Sequence, residues 1–155
     1  MQPNLLYPFN VRSFFTPTGK KDIKGGLELW QGYFQSLRPS QNTMYVNIDI
    51  STGVMYKAMP LIGLCLEFLG RNNPQDLANL RDRDRLSLQR FIANVRVETA
   101  YGGRKRIHVI KKVSRDSASA YMFDLNGVST SVQQYFRNLG VQLRHPSAPC
   151  IDVST

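Results

Sequence analysis

The segments VRVETAY (95–101) and RKRIHVIKKV (104–113) flank Gly102-Gly103. A glycine pair takes positive φ without a Cβ penalty, which suits a tight turn between antiparallel strands. Along the second segment, side chains alternate between two faces. Lys105, Ile107, Val109 and Lys111 share one; Arg106, His108, Ile110 and Lys112 share the other. Each face is apolar in the middle and cationic towards an end. A disordered basic tail has no use for so many β-branched residues, and a strand built only for a core has no use for so many cations. On charge alone two uses stay open. The strand presents cations to phosphates, with arginine as a planar fork and lysine as a mobile point charge. Alternatively it is a solvated edge whose lysines deter aggregation.

The balance of charge favours a polyanionic partner. Over 155 residues, 20 basic side chains face 11 acidic ones, a net charge of +9. Nucleic acid fits better than a membrane surface, because no basic amphipathic helix of the interfacial type stands out. The opening MQPNLLYPFN has neither a basic start nor a long apolar stretch, so no secretory leader is expected. The apolar stretch AMPLIGLCLEFLG carries Glu67 and is too short to span a bilayer. Cys65 and Cys150 form neither a disulfide framework nor a metal-ligand pattern, and read as small hydrophobes in a reducing compartment, which points to the cytoplasm. With only His108 and His145 besides, no metal site or cofactor is expected. The acids are scattered, no nucleophile stands in a recognisable context and no phosphate-cradling loop occurs, so the chain reads as non-enzymatic.

Along the chain, TPTGKKDIKGG (16–26) reads as a polar loop. LELWQGYFQSLRPSQN and TMYVNIDIS follow as the arms of a hairpin, broken at Pro39-Ser40; Met44, Val46, Ile48 and Ile50 alternate with Tyr45, Asn47 and Asp49. Composition shifts at about residue 58. Leu61, Leu64, Cys65, Phe68 and Leu69 fall at helical spacing behind Pro60, with Gly70 as the stop. Asn73-Pro74 starts a short helix through Leu80. Leu88, Phe91, Ile92 and Val95 mark the apolar side of another, whose Arg81, Arg83, Arg85 and Arg90 lie largely on solvent sides beside Asp82 and Asp84. After the glycine-paired hairpin come a strand at AYMFDL and a helix in STSVQQYFRNLG, with Ser131 and Gln134 as a capping box and Gly140 as the stop. The tail VQLRHPSAPCIDVST reads as a strand interrupted by prolines. The order is α+β.

Candidate contacts for a nucleic acid are few. His108 is a donor to a phosphate or a ring to stack on a sugar or base; its bland alternative is an ordinary half-buried strand residue. Tyr121 and Phe123 share one side of their strand as a stacking platform or, equally, as core. On the capped helix, Phe136 reads as core and Tyr135 as a hydroxyl at the rim.

GGLELWQGYFQSLRPSQN followed by MYVNIDIS, with VRSFF upstream, resembles the linker that precedes the PAZ domain in eukaryotic Argonaute proteins. The basic hairpin, the Phe123-Asp-Leu stretch, the QQYF helix and the RHPSAPCIDV tail resemble the front part of a PAZ domain. The resemblance implies residues 1–57 as an Argonaute-type linker and 58–155 as a C-terminally incomplete PAZ domain. The implied fold is a β-hairpin linker ahead of a partial OB-like barrel, with helices and a hairpin-and-helix appendage. The implied function is to hold the 3′ end of a small guide RNA, single-stranded or as a 3′ overhang, in RNA silencing and without catalysis. Other Argonaute lobes or silencing proteins are implied partners. On this chain the phosphate-contacting arginine falls on Arg106. His108 replaces a tyrosine common in relatives, Phe123 is the aromatic by the terminal nucleotide, and Tyr135 is the appendage tyrosine. Lys105 and Arg137 add charge. Ala100 stands where many relatives carry a phosphate-binding histidine, and the sequence stops at DVST before the Tyr-Leu-Pro segment that lines the pocket in relatives, as in a fragment or a truncated product. The alternative to RNA binding is a structural linker or protein-interaction piece with little RNA affinity of its own.

Overall fold

The computed structural model describes residues 6–101 and 104–154, and the side chains of residues 100, 101 and 104 stand outside that description. The expected Gly102-Gly103 turn and the Ala100 side chain therefore lie outside the described residues. The chain divides into two compact units, one ending at Pro60 and one starting at Leu61.

The first unit is an antiparallel meander, β1 (Tyr7–Pro8), β2 (Ser13–Lys24), β3 (Leu27–Ser40) and β4 (Thr43–Tyr56), neighbours in that order. Its centre is Phe15, whose ring lies over two glycines. A Cβ on Gly32 would run into the Phe14 carbonyl oxygen and lie 2.5 Å from Phe15 Cδ1; one on Gly53 would lie 2.8 Å from Phe15 Cε1. Gly32 is thus a packing residue inside a strand, the close-approach use of a strand glycine. Glu28, on β3, is also buried. Its carboxylate accepts from Trp30 Nε1 at 2.7 Å and pairs with Lys20 Nζ at 2.9 Å. A buried charge is tolerable only when paired in this way.

Two expectations for this unit need correction. TPTGKKDIKGG is mostly strand, not loop: β2 runs through Lys24, with register irregularities between Thr16 and Lys21 and between Asp22 and Lys24. Pro17 falls within the first of these irregular stretches, where a missing N–H is tolerated. Pairing to β3 outweighs the local preference of those polar residues. The hairpin also does not break at Pro39-Ser40. Its ladder continues to Ser40↔Thr43 and turns at Gln41-Asn42, with Asn42 at φ 58°.

The second unit is built from α1 (Leu61–Leu69), a 3₁₀ turn (Pro74–Leu77), α2 (Asp82–Ile92), β5 (Arg96–Tyr101), β6 (Arg104–Ser117), β7 (Met122–Leu125), β8 (Val128–Ser131), α3 (Val132–Asn138) and β9 (Pro149–Ser154). β5, β6 and β9 form one antiparallel sheet in that order, and β7 with β8 forms a separate hairpin. This mixed α+β sheet-and-helix arrangement is not a closed barrel among the described residues. Gly70 and Gly140 end α1 and α3 as expected. Both take positive φ, and in each the next amide reaches back to the helix: Arg71 N to Leu66 O and Val141 N to Phe136 O, both 2.9 Å. The helix expected through Leu80 is only the 3₁₀ turn, capped by Asn73 Oδ1 accepting from Gln75 N at 3.0 Å.

Packing joins α1, α2 and β6. Leu64, Cys65, Leu88, Ile92, Ile110 and Val113 are buried, and Phe68 stacks on Phe91 with ring centroids 4.0 Å apart. Both cysteines are free; burial pushes the Cys65 thiol up to about 11 and raises that of Cys150. Arg85 departs from the solvent placement expected of the α2 arginines. It is buried and donates to the Val113 carbonyl at 3.1 Å and to Asp82 Oδ1 at 3.3 Å. Gln89 Oε1 accepts from Val113 N at 3.1 Å, so α2 holds both backbone polar groups of one strand residue. No described helix is long and apolar enough to cross a membrane.

Arg85→Ala leaves the Val113 carbonyl without this donor, and an orphaned buried group costs about 1–3 kcal/mol; chemical unfolding of the second unit is expected to show a loss of that size. In the first unit, Lys20 above all, with help from Trp30, holds the Glu28 carboxyl below its ordinary value of 4.5. The stability it contributes is therefore fully present above that value and is lost as pH falls through the lower folded value. Trp30 is the single tryptophan, so its fluorescence reads this step. An acid titration should show a transition below pH 4.5 that Glu28→Gln removes.

Candidate nucleic-acid interface

β6 carries the strand half of the candidate site. Its register with β5 sets Arg106 opposite Thr99 and His108 opposite Val97. Alternation places Arg106, His108 and Ile110 on one face, which passes from exposed at Arg106 through half-buried at His108 to fully buried at Ile110. The Arg106 guanidinium has no acidic partner among the described residues. His108 is held more tightly, and its Nδ1 is buried without a hydrogen-bond partner.

Lys105 is not brought to this face. It lies on the opposite side with Ile107, and its Nζ pairs with Glu98 Oε1 at 2.9 Å. Glu98 stands opposite Ile107 and so diagonal to Lys105 on the same face. The acid in VRVETAY was the available signal for that pairing. Further along, Lys111 is the extra residue between the pairs Ile110↔Val153 and Lys112↔Asp152. This bulge resets the alternation, so Val113, not Lys112, follows Ile110 into the core. Lys111 and Lys112 are both exposed and lack ion-pair partners among the described residues, whereas Arg115 meets Asp82 at 3.3 Å.

The aromatic half comes from the insertion between β6 and β9. Its neck is closed by Ala118 N to Ala148 O at 3.1 Å and Ser119 N to Pro146 O at 3.0 Å. The β7–β8 hairpin turns at Asn126-Gly127, both at positive φ, with Asp124 Oδ1 accepting from Gly127 N at 2.6 Å. Asn-Gly is among the strongest short-range hairpin signals, and it marks β8, a strand the periodicity reading did not include. Ser131 caps α3, accepting from Gln134 N at 3.1 Å, and so fixes where that helix starts.

This hairpin and helix bring Phe123 and Tyr135 together, ring centroids 5.7 Å apart at 72°, and Tyr135 meets Phe136 at 5.5 Å and 81°. All three are half-buried, Phe136 included. Tyr121 does not extend the platform. It lines a hollow of about 400 Å³ with Arg85, Lys112, Ser114, Arg115, Asp116 and Asp152. Arg137 is exposed in the last turn of α3, where a cation also suits the helix dipole. Among the described residues no group of three or more potential ligands could hold a metal ion.

Residues 11–57 match the Argonaute linker 1 domain, and residues 66–155 match the PAZ domain. Among curated proteins, argonaute 14 of Oryza sativa subsp. japonica is 36% identical over 155 residues, 96% of this chain and 15% of that protein. Argonaute 12 of the same species is 34% identical over 149 residues, 93% of this chain and 14% of that protein. The chain thus spans about one-seventh of the length of these relatives. Among solved structures, the PAZ domain of Drosophila Argonaute2 superposes with a TM-score of 0.50 at 23% identity, covering 63% of this chain and 86% of that one. Kluyveromyces polysporus Argonaute with a guide RNA gives 0.56 at 14% identity, covering 99% of this chain and 20% of that one. At these identities the superpositions speak for the fold. The chain belongs to the PAZ-domain family in its Argonaute form, a linker 1 segment followed by a PAZ domain.

Proposed function

We propose that this chain is a non-catalytic RNA-binding module that holds the 3′ end of a small RNA, single-stranded or as an overhang, in RNA silencing. The observation that carries the reading is the exposed, unpaired Arg106 guanidinium on one face with His108, in the same unit as the Phe123–Tyr135 pair. Arg106 is the fork for phosphate oxygens and His108 a donor beside it. Phe123 offers its ring to the terminal nucleotide, and Tyr135 directs its hydroxyl to a phosphate. Arg137 adds charge at the rim. Lys105 contributes less, because Glu98 already neutralises it. Support also comes from the fold relatives: the Drosophila Argonaute2 domain was solved with its nucleic acid binding as the subject, and the Kluyveromyces protein with a guide RNA. Work in the cytoplasm beside other Argonaute lobes or silencing proteins belongs to the same proposal.

Fluorescence anisotropy with short RNAs tests it. Arg106→Ala removes a hydrogen bond to a charged group, worth about 1.5–3 kcal/mol, and should weaken binding roughly 10- to 100-fold. Phe123→Ala should cost about 1–3 kcal/mol, as for other single-strand stacking residues. Lys105→Ala should cost less than either. The log of affinity should fall with log salt by about 0.7 per neutralised phosphate, and blocking the RNA's 3′ end should weaken binding. Equal affinity for free and blocked ends would sink end recognition. If the combined Arg106, His108 and Phe123 alanine variant binds as well as the parent, the chain is instead a structural linker or protein-interaction piece.

A further inference from the structure

The two ring nitrogens of His108 stand in different surroundings. Nδ1 is sealed from water with no hydrogen-bond partner, a state it shares among the described residues only with Ser36 Oγ, so the fold elsewhere avoids it. Nε2 has no protein partner either, but it is not sealed. The neighbours account for the difference. On its face His108 sits between the exposed Arg106 and the fully buried Ile110, and Val97 stands opposite on β5. Val97 and Ile110 supply no polar side-chain atom. One edge of the ring therefore enters apolar surroundings while the other stays in reach of solvent.

Such an orphan works against folding, because a buried polar group that leaves water without a new partner forfeits its hydrogen bond. An apolar side chain of similar size would remove that cost. His108 is therefore a poor choice for the fold, and a residue that breaks a local rule with no structural gain marks a functional position. The orphan also selects where the ring carries its proton. In the neutral imidazole one nitrogen donates and the other accepts. A proton on Nδ1 would be an N–H facing no acceptor, and buried N–H groups without partners are rarer than buried acceptors without them. A proton on Nε2 meets water in the free protein and is ready for a ligand.

We propose that His108 serves ligand binding at a cost in stability, and that it acts through one atom, as an Nε2–H donor with Nδ1 bare. The ligand half of this inference rests on the RNA reading above; the tautomer and the stability cost do not. The Arg106 guanidinium on the same face draws phosphate oxygens, so an N–H beside it donates to an oxygen of that phosphate. A bare Nε2 would turn its lone pair on the same oxygens and would have to take the proton of a ribose hydroxyl instead. One buried atom thus decides which part of the nucleotide this residue reads.

Three measurements on the whole 155-residue chain test it. His145 is the one other histidine, so a long-range proton–nitrogen spectrum of the RNA-free protein at pH 8 is assigned by comparison with His108→Gln. Nε2 of His108 should show the shift of a protonated ring nitrogen and Nδ1 that of a bare one; the reverse pattern overturns the proposal. In urea, His108→Leu should unfold at a midpoint no lower than the parent's, whereas a lower midpoint would make the ring a structural residue. With RNA, the amide of glutamine reaches the place of Nε2 and that of asparagine the place of Nδ1. His108→Gln should bind within about threefold of the parent and His108→Asn roughly tenfold or more weaker. Equal affinity of the two variants, or a difference that vanishes when the RNA lacks its terminal 2′-hydroxyls, contradicts the donor role. Arg106→Ala is the control: if it too leaves affinity unchanged, the RNA reading itself has failed, and the spectrum and the urea midpoint decide the rest.

Discussion

Two α2 side chains hold one strand residue, and the second unit is organised around that grip. Arg85 donates to the Val113 carbonyl while Gln89 accepts from its amide, each at 3.1 Å. The strand concerned, β6, has several duties. It pairs with β5 at its charged end and with β9 further along, contributes Ile110 and Val113 to the core, and leads into the insertion. It is also irregular, with an extra residue at Lys111. A one-residue register error in such a strand would exchange core residues for cations. Fixing Val113 from the helix side holds the strand on one register. A buried guanidinium is costly unless its donors are met, and here Asp82 and the strand carbonyl meet them.

The cationic end of β6 follows from that anchoring. Because Ile110 is locked into the core, the residues two and four positions earlier share its face, and these are His108 and Arg106. Lys105 falls on the other side and finds Glu98. A strand with six basic residues therefore exposes fewer usable charges than its composition suggests, and geometry selects them. The aromatic pair is positioned separately, by a short hairpin and a capped helix whose neck closes at Ala118 and Ala148.

Much of this was legible residue by residue. Helix stops at Gly70 and Gly140, the Ser131 cap, the period-two arm at 44–50 and the apolar sides of α1 and α2 obey rules acting within a few positions. The Asn126-Gly127 turn was equally readable. Other features had no local mark. β2 looks like a polar loop because its stability comes from β3, and nothing near Gly32 in the sequence shows that Phe15 needs the space above it. Arg85 carries the same local pattern as its exposed neighbours, and only the strand beneath it makes it a core residue.

The sequence by itself determined the kinds of element, most of their ends, the cationic character of the β6 hairpin and, through its motifs, the family. Those follow from propensity, capping and charge, which each residue brings with it. Only the tertiary structure decided which cations are free, where the β6 alternation resets, and that Phe123 meets Tyr135 instead of standing with Tyr121. Each of these depends on the partner that packing supplies. Neutralisation, burial and ring contact are properties of pairs, and the chain alone does not say which pairs will meet.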